Sequence, residues 1–327
     1  MKLSKKAITA ALKTVSSIQP DVRKTYKLQR AIDRLSQASL LKPLYPMKDM
    51  IVEGRNGQIP VRLFYPQNET IRGLILFYHG GGWVTGDVET YTRVCALTAR
   101  KTGYLVASVD YRLAPEHKFP TGVEDCFDVA NWFFENSLGE LGIHPKDIVL
   151  MGDSAGGNLT AVTSLKGRDE HAFYPRRQIL LYPATYPDHT EASPYGSVVE
   201  NGTDYVLTSR RIEEYAQLYQ RSPADRESPY FAPLLAKDFS NQPETLIISA
   251  QLDPLRDEGE DYGCRLREAG NRVWIFQMKN ALHGFFSLPA TAPAVKKTFE
   301  ILLAFLEEPE RLEEMEHGQE QCTMDGT

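Results

Sequence analysis

Ser154 stands between two glycines in the stretch Gly152-Asp153-Ser154-Ala155-Gly156, a G-x-S-x-G pattern. The apolar run DIVLMGD (147–153) precedes it and a helix-capable segment follows. A strand–turn–helix of this kind forces the serine through a sharp turn and lifts its hydroxyl clear of the sheet. Residues two positions away must then be small, as Gly152 and Gly156 are. The following helix aims its free N–H groups and the positive end of its dipole at the same place. The chemistry this suits is attack on a carbonyl, and a serine hydroxyl needs a base to take its proton.

Chain order narrows the search for that base. After a nucleophile in this setting the partners follow as Asp or Glu, then His. His79, His117 and His144 precede Ser154, His171 and His189 come before any late strand could supply an acid, and His317 lies in a charged tail. His283, in ALHGFF, remains. An imidazole must be neutral to accept a proton, so activity is expected to fall on the acid side of neutrality. The acid is expected at the end of the preceding strand, TLIISAQ (245–251), where Asp253 stands before Pro254. Asp257 is second choice. It falls with Glu258, Glu260 and Asp261 at the start of the next helix, where acids complement the dipole.

A second motif, YHGGGWVTG (78–86), sets His79, Gly80, Gly81 and Gly82 directly after the apolar run GLILFY. Attack on an ester creates a tetrahedral oxyanion, which preorganised N–H groups stabilise. The Ala155 amide and amides of an HGGG-type loop are the donors such a site uses. Glycine lets a backbone donor approach a substrate without a Cβ in the way. His79 reads as a brace for this loop rather than a base.

These residues need a scaffold that brings strand ends together. Strand-like segments recur at 48–54, 60–66, 73–79, 104–111, 147–153, 178–184, 245–251 and 272–278, and helical patterns at 89–101, 122–136, 156–167, 258–269 and 293–306 separate the later ones. Apolar strands alternating with helices predict a mostly parallel sheet of about eight strands covered on both faces. Ligands bind such sheets outside the carboxyl ends of the strands, where both motifs lie. Residues 1–45 read as helical, with Ile8, Leu12, Val15 and Ile18 on one face and Leu28, Ile32 and Leu35 on another, both expected against the protein's own core. Residues 186–222 break the alternation; they hold five tyrosines (Tyr186, Tyr195, Tyr205, Tyr215, Tyr219) and one helix near 209–220, and read as a lid. The core is then 46–185 with 223–307, and the acidic tail 308–327 is expected to fray.

At 327 residues, 42% hydrophobic and 24% charged, the chain has the composition of a soluble globular protein. A net charge of −6 and the lack of a dense Lys/Arg patch argue against nucleic acid or an anionic membrane as partner. No apolar run reaches the length of a membrane span, and Lys13 interrupts the N-terminal apolar stretch too early for a signal peptide. Cys95, Cys126, Cys264 and Cys322 are far apart without a CxxC pair, so reduced thiols in a cytoplasm are expected, with neither a metal site nor a disulfide framework.

Taken together, HGGGW (79–83), DYRLAPEHKFP (110–120), GDSAGGNL (152–159), SPYFAPL (228–234), DPLRDEGE (253–260) and HGF (283–285) resemble the hormone-sensitive-lipase-like esterases, a family of α/β-hydrolases. ADRESPYFAPLLAKDF (224–239) looks like its bacterial acetyl-esterase branch. The resemblance implies an α/β-hydrolase fold with a helical cap built from 1–45 and 186–222. It matches Ser154, Asp253 and His283 to the triad and Gly81, Gly82 and Ala155 to the oxyanion donors. Arg112 and Glu116 match positions of structural support. The expected activity is hydrolysis of short-chain acyl esters, acetyl to about hexanoyl, without metal or cofactor. An amidase or formamidase on the same triad stays open, because the two reactions share every part up to protonation of the leaving group. A non-catalytic small-molecule receptor on the same fold is the alternative from another class. Oligomeric state is left undetermined.

Overall fold

The aliphatic and β-branched runs become eight strands, which a computed structural model assembles into one sheet. The structure describes residues 20–37, 45–67, 70–136 and 138–316. The strands are β1 (Met47–Gly54), β2 (Gly57–Phe64), β3 (Leu74–Tyr78), β4 (Leu105–Val109), β5 (Ile148–Asp153), β6 (Arg177–Leu181), β7 (Glu244–Leu252) and β8 (Val273–Leu282). Their order across the sheet is β1-β2-β4-β3-β5-β6-β7-β8. β2 runs antiparallel to both neighbours and every other pairing is parallel.

Every residue of β3, β4 and β5 is buried, as a parallel sheet covered on both faces requires. Helices α1 (Val22–Gln37), α2 (Thr92–Thr102), α3 (Thr121–Glu135), α4 (Ala155–Asp169), α5 (Gly196–Glu200), α6 (Ser209–Tyr219), α7 (Arg256–Glu268), α8 (Pro293–Glu307) and α9 (Pro309–Glu316) supply the layers. One face packs against α3 and α4 through Val123, Phe127, Leu159 and Val162. The other packs against α2 and α8 through Val94, Ala99, Phe299 and Phe305. All eight expected strands form, and each motif emerges at a strand's carboxyl end: His79 after β3, Ser154 after β5, Asp253 after β7 and His283 after β8.

Four expectations need correction. Leu28, Ile32 and Leu35 are exposed, at 62%, 53% and 78%. The face of α1 turned inward instead buries Val22 and packs Tyr26 against the core, and polar contacts add to it: Arg30 donates to the Val84 and Ala114 carbonyls and pairs with Glu116, and the Val22 amide donates to Glu214. The first tail residues do not fray. α9 buries Leu312, and Glu316 accepts from Arg267 and from the Ile275 amide, so an acidic run is anchored by its cationic neighbours. The insertion 186–222 holds two helices, α5 and α6, rather than one. Cys264 is disulfide-bonded, against the expectation of reduced thiols, while Cys95 and Cys126 are free and buried. Ile8, Leu12, Val15, Ile18 and Cys322 lie outside the described residues. Among the described residues no helix is long and apolar enough to cross a membrane.

Candidate active site

Ser154 occupies the turn between β5 and α4 with φ of 56°. That left-handed backbone is strained for a residue with a side chain, and such strain concentrates at functional sites. It persists because the turn is over-determined. The Ser154 amide donates to the Leu181 carbonyl, and its own carbonyl accepts from Asn158 and Ala184. Gly156 lies so close to the Tyr78 backbone that a Cβ could not fit.

The three residues expected from separate strand ends meet here. The Ser154 hydroxyl donates to His283 Nε2 at 2.8 Å, and His283 Nδ1 donates to Asp253 Oδ2 at 2.6 Å. Asp253 is fully buried, and its other oxygen accepts from the Leu255 amide at 3.0 Å. With Nδ1–H committed to Asp253, Nε2 is left as an acceptor facing the serine. Asp257 turns elsewhere, accepting from the Ser197 amide and pairing with Arg256.

The glycine loop sits against this line. Gly81, Gly82 and Ala155 line the same cavity as Ser154 and His283, and among the described residues their amides donate to no protein acceptor. Unpaired N–H groups beside a reactive hydroxyl can receive a developing oxyanion. The Gly80 amide is occupied, donating to Asp153 Oδ1 at 2.9 Å. His79 lies buried beneath the loop, its Nδ1 donating to the Gly80 carbonyl at 2.8 Å and its ring stacked on Tyr111 at 4.3 Å. Burial pushes its basicity down, which suits a neutral brace. Arg112 pairs with Asp125, and Glu116 with Arg30, both outside the cavity wall.

Asp153 ties the parts together. Besides Gly80, it accepts from the Tyr91 hydroxyl at 3.0 Å and the Tyr182 hydroxyl at 3.4 Å. Tyr182 in turn accepts from the Phe286 amide and meets the His283 ring edge-on at 4.9 Å. One carboxylate therefore links the glycine loop, the serine turn and the histidine loop. Burial raises it to about 6, against the pull of the Tyr91 hydroxyl and the Gly80 amide.

The cavity holds about 430 Å³. Its apolar wall is formed by Trp83, Val206, Leu207, Ile212, Tyr215 and Leu255. Tyr215 is one of the five insertion tyrosines; Tyr219 instead stacks on Trp83 at 4.6 Å from behind. Sequence reasoning missed Tyr91, Tyr182 and Arg211. Tyr182 had a signal, since it directly follows the carboxyl end of β6, but the strand was expected to run on to 184. Tyr91 and Arg211 carry no local motif.

Comparison with known proteins follows the same lines. A family model described as an alpha/beta hydrolase fold matches residues 75–287. An arylesterase of Saccharolobus solfataricus is 36% identical over 268 residues, covering 82% of this chain and 86% of that protein. An ethyl acetate hydrolase of Pseudomonas putida is 35% identical over 248 residues, covering 74% and 76%. Among solved structures, a hyperthermophilic esterase from Pyrobaculum calidifontis superposes with a TM-score of 0.84 at 35% identity, over 95% of this chain and 99% of that one.

Proposed function

Since the chain belongs to the hormone-sensitive-lipase-like esterases of the α/β-hydrolase fold, we propose that it is a serine carboxylesterase acting on short-chain acyl esters through an acyl-enzyme. The observation that carries this reading is the unbroken line Ser154–His283–Asp253, at 2.8 and 2.6 Å. Ser154 Oγ attacks the ester carbonyl as its proton passes to His283 Nε2. Asp253 holds the imidazole and stabilises the imidazolium that forms. The Gly81, Gly82 and Ala155 amides receive the oxyanion. Collapse of the tetrahedral intermediate breaks the C–O bond to the alcohol, which leaves with the proton from Nε2. Water then gives its proton to Nε2, attacks the acyl carbonyl and releases the acid, returning the hydroxyl to Ser154.

The α1 helix and the insertion 186–222 act as the cap. They supply Gln29, Val206, Leu207, Arg211, Ile212 and Tyr215 to the cavity wall. A volume of about 430 Å³ is near the lower end for small-molecule sites, roughly 300–1,000 Å³, and supports a short acyl group. The test is hydrolysis of p-nitrophenyl acetate, butyrate and octanoate by the wild type and by Ser154→Ala, each checked for folding. The wild type is expected to cleave the two shorter esters faster than octanoate, and Ser154→Ala to lose nearly all turnover. Faster turnover of octanoate would overturn the short-chain reading. Retained activity in Ser154→Ala would overturn the serine mechanism.

A further inference from the structure

The cavity is apolar at most points, anionic beside Ser154, where Asp153 lines it, and cationic at one point on the cap. Among the described residues that line it, Arg211 is the single Lys or Arg. It stands one turn before Tyr215 on α6, and the Tyr215 ring abuts Gly82 of the glycine loop. The contacts of its guanidinium are neutral. Nη2 donates to Gln29 Oε1 at 2.5 Å and to the Tyr215 hydroxyl at 3.5 Å, and the group lies 5.6 Å from the Tyr215 ring centroid. Among the described residues no carboxylate lies within ion-pair distance of it.

That sets Arg211 apart from its neighbours. On the same elements Arg23 pairs with Asp21, Arg30 with Glu116, Arg34 with Asp87 and Arg210 with Glu214. Asp33 feels the Arg211 charge without a hydrogen bond to it, and burial and then Asp87 raise its carboxyl against that pull. A partly buried guanidinium is costly without an anion, and its planar fork matches a carboxylate.

We propose that Arg211 is a specificity determinant that selects esters carrying a second, anionic group, a carboxylate remote from the scissile carbonyl. This rests on the reading of Ser154 as an ester-cleaving nucleophile. The carboxylate can belong to the acyl part, as in a dicarboxylic acid half-ester, or to the alcohol part, as in an acylated hydroxy acid.

Two substrate pairs test the proposal and separate these sources. Monoethyl adipate against diethyl adipate places the charge on the acyl side. 4-Acetoxybenzoate against phenyl acetate places it on the alcohol side. The readout is the ratio of kcat/KM for the anionic over the neutral member, so a general loss of activity cancels. Arg211→Gln is expected to lower that ratio about tenfold to a hundredfold in one pair, the range for a charge-assisted hydrogen bond. Arg211→Lys, which keeps the charge but not the fork, is expected to fall between. A change under about twofold in both pairs would overturn the proposal, since the Gln29 contact would then be the whole role of Arg211.

The wild type supplies an independent check should a variant misfold. Local attraction to Arg211 predicts that the preferred pair's ratio falls as salt is raised; repulsion by the chain's net charge of −6 alone predicts a rise, which would overturn the proposal. If the wild type cleaves no ester, the hydrolase reading fails separately. Calorimetric binding of 4-acetoxybenzoate and monoethyl adipate to Ser154→Ala, with and without Arg211→Gln, still decides the charge preference. Loss of binding of either anion on adding Arg211→Gln supports it, and unchanged binding of both overturns it.

Discussion

Replacing Gly82 with Ala tests whether the glycine loop is shaped for catalysis. Gly82 adopts φ of 60°, where an L-residue is disfavoured by roughly 1–2 kcal/mol. A Cβ there would also lie within 2.7 Å of both Cδ carbons of Tyr215. Carbon contacts are comfortable at about 3.5–4.0 Å, so the loop or the ring must retreat by about 1 Å. A displacement of that size costs about 10²-fold in rate, and loss of one oxyanion donor about 10²–10³-fold. Gly82→Ala is therefore expected to lower kcat and kcat/KM together by about 10²–10³-fold, the pattern of an interaction made in the transition state. Steady-state hydrolysis of phenyl acetate measures both constants, with circular dichroism to check folding. Combining Gly82→Ala with Tyr215→Ala removes the obstruction but leaves the backbone strain. The double variant should recover about tenfold over Gly82→Ala, because residues in contact couple. A folded Gly82→Ala enzyme within about threefold of the wild type would refute the reasoning about the loop. A double variant no better than the single would show that Tyr215 is not the obstruction.

Two further predictions concern pH and stability. Asp153 sits at about 6 in the fold, above an unfolded carboxyl, because burial disfavours its charge. The native state is therefore penalised above pH 6 and relieved as pH falls from about 6 toward 4. The stability of Asp153→Asn relative to the wild type should improve by about 1 kcal/mol between about pH 5 and pH 7.5, measured by urea unfolding; no improvement would mean that Asp153 is not a strained charge. His189 is buried between Glu258, at 2.7 Å, and Glu213, at 3.8 Å. Burial lowers its basicity, but the two carboxylates outweigh that and hold it at about 9. Its contribution, on the order of 3 kcal/mol, is fully present below about pH 6.5 and is lost as pH rises through about 9. The wild type should lose its stability advantage over His189→Gln across that window, read as the difference in Tm. A constant difference from about pH 6.5 to pH 10 would count against the ion pair.

The parts of this protein legible in its sequence are those set by local rules. Apolar runs gave the strands, and strand ends are where such sheets place chemistry, so Ser154, Asp253 and His283 could be chosen before any distance was known. The choice of Asp253 over Asp257 was also local, one at the strand's end and the other inside a helix. Cross-chain hydrogen bonds were not legible. Asp153 reaches Gly80 across 73 residues, and nothing in GDSAGG signals that partner or Tyr182. The inward face of α1 was misread because its Leu and Ile spacing is helical, while the face that meets the core carries Val22 and Tyr26 and is anchored further by Arg30 on carbonyl oxygens. α9 was misread for the converse reason: an acidic run looks solvated until Arg267 is placed beside Glu316. Arg211 could be numbered in the sequence but not seen to lack a counter-ion, since that depends on which acids fold near it.

The proposed hydrolysis requires Ser154 to become covalently acylated. Rapid mixing with p-nitrophenyl acetate, quenching in acid and mass spectrometry of the digested chain would test this directly. One acetyl group is expected on the peptide containing Ser154, formed within the first turnover, and none on Ser154→Ala. An enzyme that turns over the ester with no acetyl on that peptide at any time in the first turnover, or with the acetyl elsewhere, would contradict the proposed acylation.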